Sequence, residues 1–202
     1  MPSYGQVDRD YGMRLATSGS DEPVYMLNLM KYRHEADYGG TERGVSGREA
    51  DDRYAPTDVL ERIGAAVCFV ADVDSSNEDW DRVAVVRYPS RRSFIEMQSR
   101  KDFQDKHVHK EAGMDHTIVM GTIPRDGVPP RAKPSRVLLE VLADDAQVAG
   151  DATWFDVEGT IIGDGRQWRA ARWSTLADGD TLVSAPAGSQ VLVLRPTIDR
   201  WS

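Results

Sequence analysis

One cysteine, Cys68, stands in a chain of 202 residues. An internal disulfide and a cysteine-built zinc site are therefore excluded, and its place inside an apolar run reads as a small buried side chain. Long hydrophobic runs are missing as well. The longest uncharged stretches, such as Ile63 to Ala71, fall far short of the ~20 residues that cross a bilayer, and the polar start MPSYGQVDRDYG lacks the apolar core of a signal peptide. The expectation is a cytoplasmic protein with no membrane partner. Basic residues are scarce: 25 Lys plus Arg against 33 Asp plus Glu give a net charge of −8. Phosphate contacts need a basic surface, so no nucleic-acid partner is expected. There is no G-x-S-x-G, no P-loop, and no G-x-G-x-x-G between a strand and a helix, which disfavours nucleotide chemistry. What remains is 40% apolar residues spread along the chain, enough to fill a core.

Proline marks the main internal boundary. Pro124 to Ser135, PRDGVPPRAKPS, replaces apolar periodicity with four prolines, a glycine and positive charge. This divides the chain into an N-terminal domain over 1–124, a linker over 125–135 and a β-rich C-terminal domain over 136–202. In the first part, residues 23–33 predict a strand. A glycine-bearing loop follows, and then a helical region from Arg48 to Arg62, interrupted at Pro56 and stopped at Gly64. Ala65 to Asp72 and Trp80 to Tyr88 read as strands separated by the turn DSSNED. Ser90 caps a helix through Phe94 and Met97, a further helix spans Lys101 to Ala112, and His116 to Ile123 is a strand. The order βαββαβ predicts an α+β, ferredoxin-like domain. In the first strand Val24, Met26 and Met30 share one face while Tyr25, Leu27 and Leu29 share the other, so both faces are dry. Helices cover one face only, and a second sheet must shield the other. It is expected from a homodimer partner unless the C-terminal half closes the barrel within one chain. That half offers four strand-like runs with a hairpin turn at Gly163-Asp164-Gly165. The strings WDRVAVVRYPS and WRAARWST leave open a degenerate second ferredoxin-like repeat or two hairpins of similar composition.

The strings PVYMLNLMKYR, GREADDRYAP, IGA, WDRVAVVRYPSRRSFIEM and HKEAGM, in that order over residues 23 to 124, resemble the uncharacterised family known as domain of unknown function 1330, within the dimeric α/β-barrel superfamily. The resemblance implies a ferredoxin-like fold whose sheets pair into a dimeric α/β barrel. It leaves the reaction open, because that superfamily includes cofactor-independent monooxygenases, cyclases and isomerases as well as haem-dependent enzymes.

Several residues are candidates for chemistry. Asn28 is the polar side chain on an apolar strand face, held either by a structural bond or by a substrate. Arg87 and Tyr88 end a strand, and Arg48 and Tyr54 lie in the first helical region. An arginine can grip a carboxylate or enolate and a tyrosine can stabilise an oxyanion, although strand-end arginines are ordinarily solvated. Of the four histidines, His109 matches the family string HKEAGM and is the first choice as general base. His107 shares a helical face with Phe103 and is the second choice as a substrate contact. On a helix His107 and His109 point about 200 degrees apart, so no metal site is expected from them. The expected function is a biosynthetic small-molecule enzyme without a cofactor. It would act on a hydrophobic or aromatic metabolite between sheet and helices by acid/base chemistry of the cyclase, isomerase or monooxygenase type. His109 would take the proton, with Arg87, Tyr54 or Asn28 facing the oxyanion. A haem-dependent enzyme and a non-catalytic binding or scaffold protein are the alternatives.

Overall fold

In the computed structural model, which describes residues 5–74, 77, 79–129, 136–144, 152–177 and 186–201, the β-strands do not end in open edges. A two-residue strand β1 (Gln6–Val7) and helix α1 (Arg9–Thr17) precede the first long strand, β2 (Val24–Tyr32). Then come α2 (Gly47–Tyr54), α3 (Thr57–Arg62), β3 (Ala66–Val73), β4 (Arg82–Tyr88), α4 (Arg91–Ser99), α5 (Lys101–Gly113) and β5 (Met114–Pro124). The chain continues with β6 (Val137–Leu142), β7 (Thr153–Gly163), β8 (Ala170–Thr175) and β9 (Gln190–Asp199). Hydrogen bonding runs β7-β5-β2-β4-β3-β9-β6-β8, and β8 pairs back onto β7. The result is a closed eight-stranded antiparallel barrel with β1 appended to β7.

This corrects the expected fold. A ferredoxin-like α/β domain, alone or followed by a second such repeat and paired into a dimeric α/β barrel, is not what forms. Each half contributes four strands in the same relative order, fourth-first-third-second, and the barrel interior is shared between them. Tyr25, Leu27, Leu29, Phe69 and Val85 of the first half pack in one cluster with Leu139, Phe155, Trp173, Leu192 and Leu194 of the second. The seams β5–β7 and β3–β9 are as long as ordinary neighbours, so the inner face of β2 is shielded by the far wall of its own chain. Curvature is supplied by register shifts in β5–β7, β3–β4 and β3–β9, where extra residues bend and twist the strands. The Gly163-Asp164-Gly165 sequence does not make a tight hairpin. β7 and β8 pair only through residues 153–156 and 170–173, while the far end of β7 pairs with β5.

The inside is filled by rings. Trp201, at the C-terminal side of β9, lies 5.6 Å from Phe69, 5.4 Å from Trp173 and 5.8 Å from Phe155, and Tyr25 meets Phe155 edge-on at 5.5 Å. Alternate strand residues point the other way. Val24, Met26, Tyr88, Val119 and Ile161 face outward and meet Val59, Leu60, Phe94, Met97 and Phe103 from the helices. The linker expected over 125–135 is only partly described; residues 130–135 lie outside the described residues. Among the described residues no helix is long and apolar enough to cross a membrane.

Helix α1 docks where two glycines face each other across the β5–β7 seam, Gly121 opposite Gly159. Tyr11, fully buried, lies over this bare backbone, and its hydroxyl donates to Glu158 Oε1 at 3.2 Å, which also receives Arg91. A Cβ on Gly159 would come within 2.6 Å of the Tyr11 ring, and one on Gly121 would overlap its hydroxyl. Gly159→Ala is therefore expected to lower stability by about 1–3 kcal/mol through overpacking, read as a shift in the urea midpoint. In a Tyr11→Ala background, already weakened by loss of the ring, the added methyl should cost little.

Candidate functional site

Between the outer face of the barrel and helices α2 to α5 lies a cavity of about 420 Å3. Its floor follows from strand register. On β2 the outward residues are Met30, Asn28 and Met26, opposite Arg82, Ala84 and Val86 of β4. On the other side of β2, Asn28 pairs with Val119 of β5. Ala84 is small, so the floor dips beside Asn28. The roof is Tyr54, Phe94, Met97, Phe103 and His107, and the far end is closed by Ile161 and Ile162 of β7. The lining is mostly hydrocarbon, with its charged groups Asp51, Asp52, Arg82, His107 and Lys110 contributed by α2, β4 and α5.

The placement of those groups begins with helix starts and contacts. Ser46 caps α2 in a reciprocal capping box with Glu49, which fixes the first turn. Pro56 ends that helix two residues later and starts α3, in agreement with the interruption expected there. Gly47 of α2 and Gly113 of α5 approach so closely that a Cβ on either would strike the other's backbone. This contact holds the two helices that carry the polar groups. On α5 the spacing of Phe103, His107 and Lys110 puts all three on the cavity face.

Lys110 is only 7% exposed. Its Nζ lies 5.2 Å from the centre of the Tyr54 ring and makes no hydrogen bond among the described residues. Burial pushes its pKa down, and the Asp51 carboxylate pulls part of that back. Asp51, 8% exposed, accepts from the Tyr32 hydroxyl at 2.6 Å and from Arg82 Nη1 at 3.4 Å, while Arg82 also reaches Asp52 at 2.9 Å. His107, half-buried, meets Tyr54 and Phe103 at ring distances of 6.3 and 6.0 Å. Its pKa is lowered by desolvation first and by the Lys110 charge second, with Glu111 opposing. Asn28 donates through Nδ2 to the Met26 carbonyl at 2.9 Å and to that of Ala84 at 3.5 Å. The amide thus makes the structural bond expected of it and also lines the cavity.

The structure brings together four of the seven expected site residues: Asn28, Tyr54, Tyr88 and His107 all line the cavity. Tyr88 is a wall residue whose hydroxyl donates to Met97 Sδ at 3.4 Å. The other three lie elsewhere. Arg87 has the opposite strand parity from Tyr88 and sits beside the Tyr25 hydroxyl on the barrel's inner side. Arg48 is ion-paired to Asp72 at 2.8 Å. His109 falls on another side of α5, with Nδ1 2.9 Å from the Tyr38 hydroxyl. Sequence reasoning missed Lys110, Asp51 and Arg82. The signal for Lys110 was present, since it stands three residues after His107 on the face already assigned to Phe103. No group of three or more His, Cys, Asp or Glu is arranged to hold a metal ion among the described residues.

No family model matches the chain, and no curated protein does. Two solved structures do resemble it. One is the methylated RPA0582 protein, 22% identical with a TM-score of 0.54, the match covering 65% of this chain and all of that one. The other is the RPA0582 protein, described as a protein of unknown function from Rhodopseudomonas palustris, 22% identical with a TM-score of 0.52 over 63% of this chain and 98% of that one. At this identity the likeness concerns the fold alone.

Because the folded chain holds His107 below its ordinary pKa of 6.5, the unfolded chain takes up that proton first as pH falls. Stability is therefore lost as pH drops through the ordinary histidine range towards the lowered folded value. His107→Gln removes this contribution. Urea melts at about pH 7.5 and about pH 5.5 should show the variant losing less stability over the interval than the parent. Equal losses would mean that the ring is solvated.

Proposed function

We propose that the protein is an enzyme that binds a small, mainly apolar molecule bearing a carbonyl or enolisable head, and that it moves a proton on that head with its own side chains. One observation carries this reading: a buried ammonium, Lys110, and a half-buried imidazole, His107, converge from one helical face on a cavity whose lining is otherwise largely hydrocarbon. Buried cationic and imidazole groups in a cleft are disposed to exchange protons near neutral pH, because desolvation brings the charged and neutral forms closer in free energy. The cavity volume suits a molecule of drug size or smaller.

In this reading His107 takes or returns the proton. Lys110 stabilises negative charge that develops on the substrate oxygen, in surroundings where Coulombic attraction is weakly screened. Asn28 Oδ1 accepts from a substrate hydroxyl, and Tyr54 orients both α5 groups through its ring contacts. The hydrocarbon wall of Met26, Val86, Tyr88 and Phe94 takes the apolar body. Isomerisation, cyclisation and oxygenation of an enolate all begin with this proton removal. His107 replaces His109 as the base in this scheme, since His109 lies off the cavity.

The test is a binding and turnover screen with apolar aldehydes, ketones and phenols. A compound present at about a hundredfold over its Kd should stabilise the fold by about 2.7 kcal/mol in a thermal melt. Ala84→Phe fills the dip in the floor and should abolish that stabilisation while the unliganded protein still melts cooperatively. His107→Gln should keep binding and lower turnover by about 100-fold or more, and His109→Ala should leave both intact. Melting temperatures unmoved across the whole panel would overturn the proposal.

A further inference from the structure

We infer that Lys110 is a nucleophilic amine that forms an imine with the carbonyl carbon of its ligand, so that the cavity takes aldehydes or ketones in preference to phenols or acids. This rests on the cavity reading above and goes further, from charge stabilisation to covalent chemistry. The argument starts from where the amine is. Lys110 is over nine-tenths buried, lines an apolar cavity, and has neither a hydrogen-bond acceptor nor an ion-pair partner on its Nζ among the described residues. The other charged groups of the lining are tied to one another: Arg82 to Asp51 and Asp52, and Asp51 to Tyr32 as well. Its immediate neighbour is the face of the Tyr54 ring, which tolerates a cation but does not engage the nitrogen lone pair once the proton has left.

A structural lysine gains by pairing with a carboxylate; one that forms no such pair among the described residues, in a largely hydrocarbon pocket, loses solvation with little return unless the neutral amine is the working form. Burial depresses its pKa as that use requires. His107 stands one helical turn away and feels the Lys110 charge, which places a second proton carrier beside the amine.

The step balances without any further reagent. The neutral Lys110 amine adds to the carbonyl carbon, forming a C–N bond as the C=O π bond breaks, and the proton released by the attacking nitrogen passes to the carbonyl oxygen. The carbinolamine then loses its hydroxyl as water, with the proton supplied by imidazolium His107, and leaves a protonated imine. The positive nitrogen acidifies the neighbouring C–H, so that neutral His107 removes that proton more readily than it would from the free ketone. Imidazolium His107 then returns the proton to carbon, water adds to the iminium carbon so regenerated, and collapse of that carbinolamine to a carbonyl product releases the neutral amine.

The experiment is reductive trapping on the full chain. The protein is incubated with 4-phenylbutan-2-one and sodium cyanoborohydride, and adducts are mapped by peptide mass spectrometry. The expected result is one adduct per chain on Lys110, formed at neutral pH about tenfold faster than any adduct on exposed Lys101. Lys110→Arg should abolish this adduct while the variant keeps the parent's circular dichroism. Parallel titration by thermal melt separates the two levels of the inference. Stabilisation by the ketone with no adduct on Lys110, or with adducts scattered over surface lysines, overturns the imine and leaves the cavity reading standing. No stabilisation and no Lys110 adduct for the ketone or for phenylacetaldehyde overturns both.

Discussion

Strand β2 buries apolar side chains on both of its faces, and the period-two alternation of a strand therefore decides what each side chain there and on its neighbours can do. On β4, Val83 and Val85 are used up inside the barrel, while Ala84, Val86 and Tyr88 are offered to the helices. The site inherits this division. Asn28 reaches the cavity because Met26 and Met30 do, and Arg87 is denied it because Val85 is. A one-residue slip of β2 against β4 would move Asn28 into the aromatic core and turn Leu27 to the cavity. The filled interior, with Trp201 packed among Phe69, Phe155 and Trp173, makes such a slip costly, so packing far from the cavity fixes its floor.

The same alternation was plain in the amino-acid sequence, and with it the strands, the interruption at Pro56 and a pocket between sheet and helices. Closure was not. Which edges meet is decided by pairings between residues far apart in the chain, such as Phe69 with Asp199 and Val119 with Ile162, and no local pattern announces them. The order of elements suggested a ferredoxin-like sheet paired with a second sheet, from a partner subunit or from the C-terminal half, and not one continuous antiparallel barrel. The bulges on β3 and β7 are single-residue register shifts, invisible until the partner strand is known, and the Gly121–Gly159 pair looks in the sequence like two unrelated glycines.

On the helical side the geometry was legible and the charged lining of the cavity was not. Spacing already set Phe103 and His107 on one face of α5, and Lys110 continues it at the next turn. Lysine is so regularly an exposed residue that its position on this face carried no weight, whereas a histidine in a familiar string did. Asp51 and Arg82 were passed over for the same reason, being charged residues that ordinarily belong to solvent. Their mutual pairing is what makes burial tolerable, and such pairing cannot be seen before the helix and the strand are brought together.

That cavity persists because three features keep the helices from sinking onto the floor. The backbone contact of Gly47 with Gly113 locks α2 against α5, and the break at Pro56 turns the chain before α2 can extend across the sheet. The ion-paired wall of Asp51, Asp52 and Arg82 then stands at the mouth, where collapse would strip the remaining water from three charges. The barrel core, crowded with rings, carries the packing on one side of these strands, and the helical layer on the other side leaves room beside Lys110.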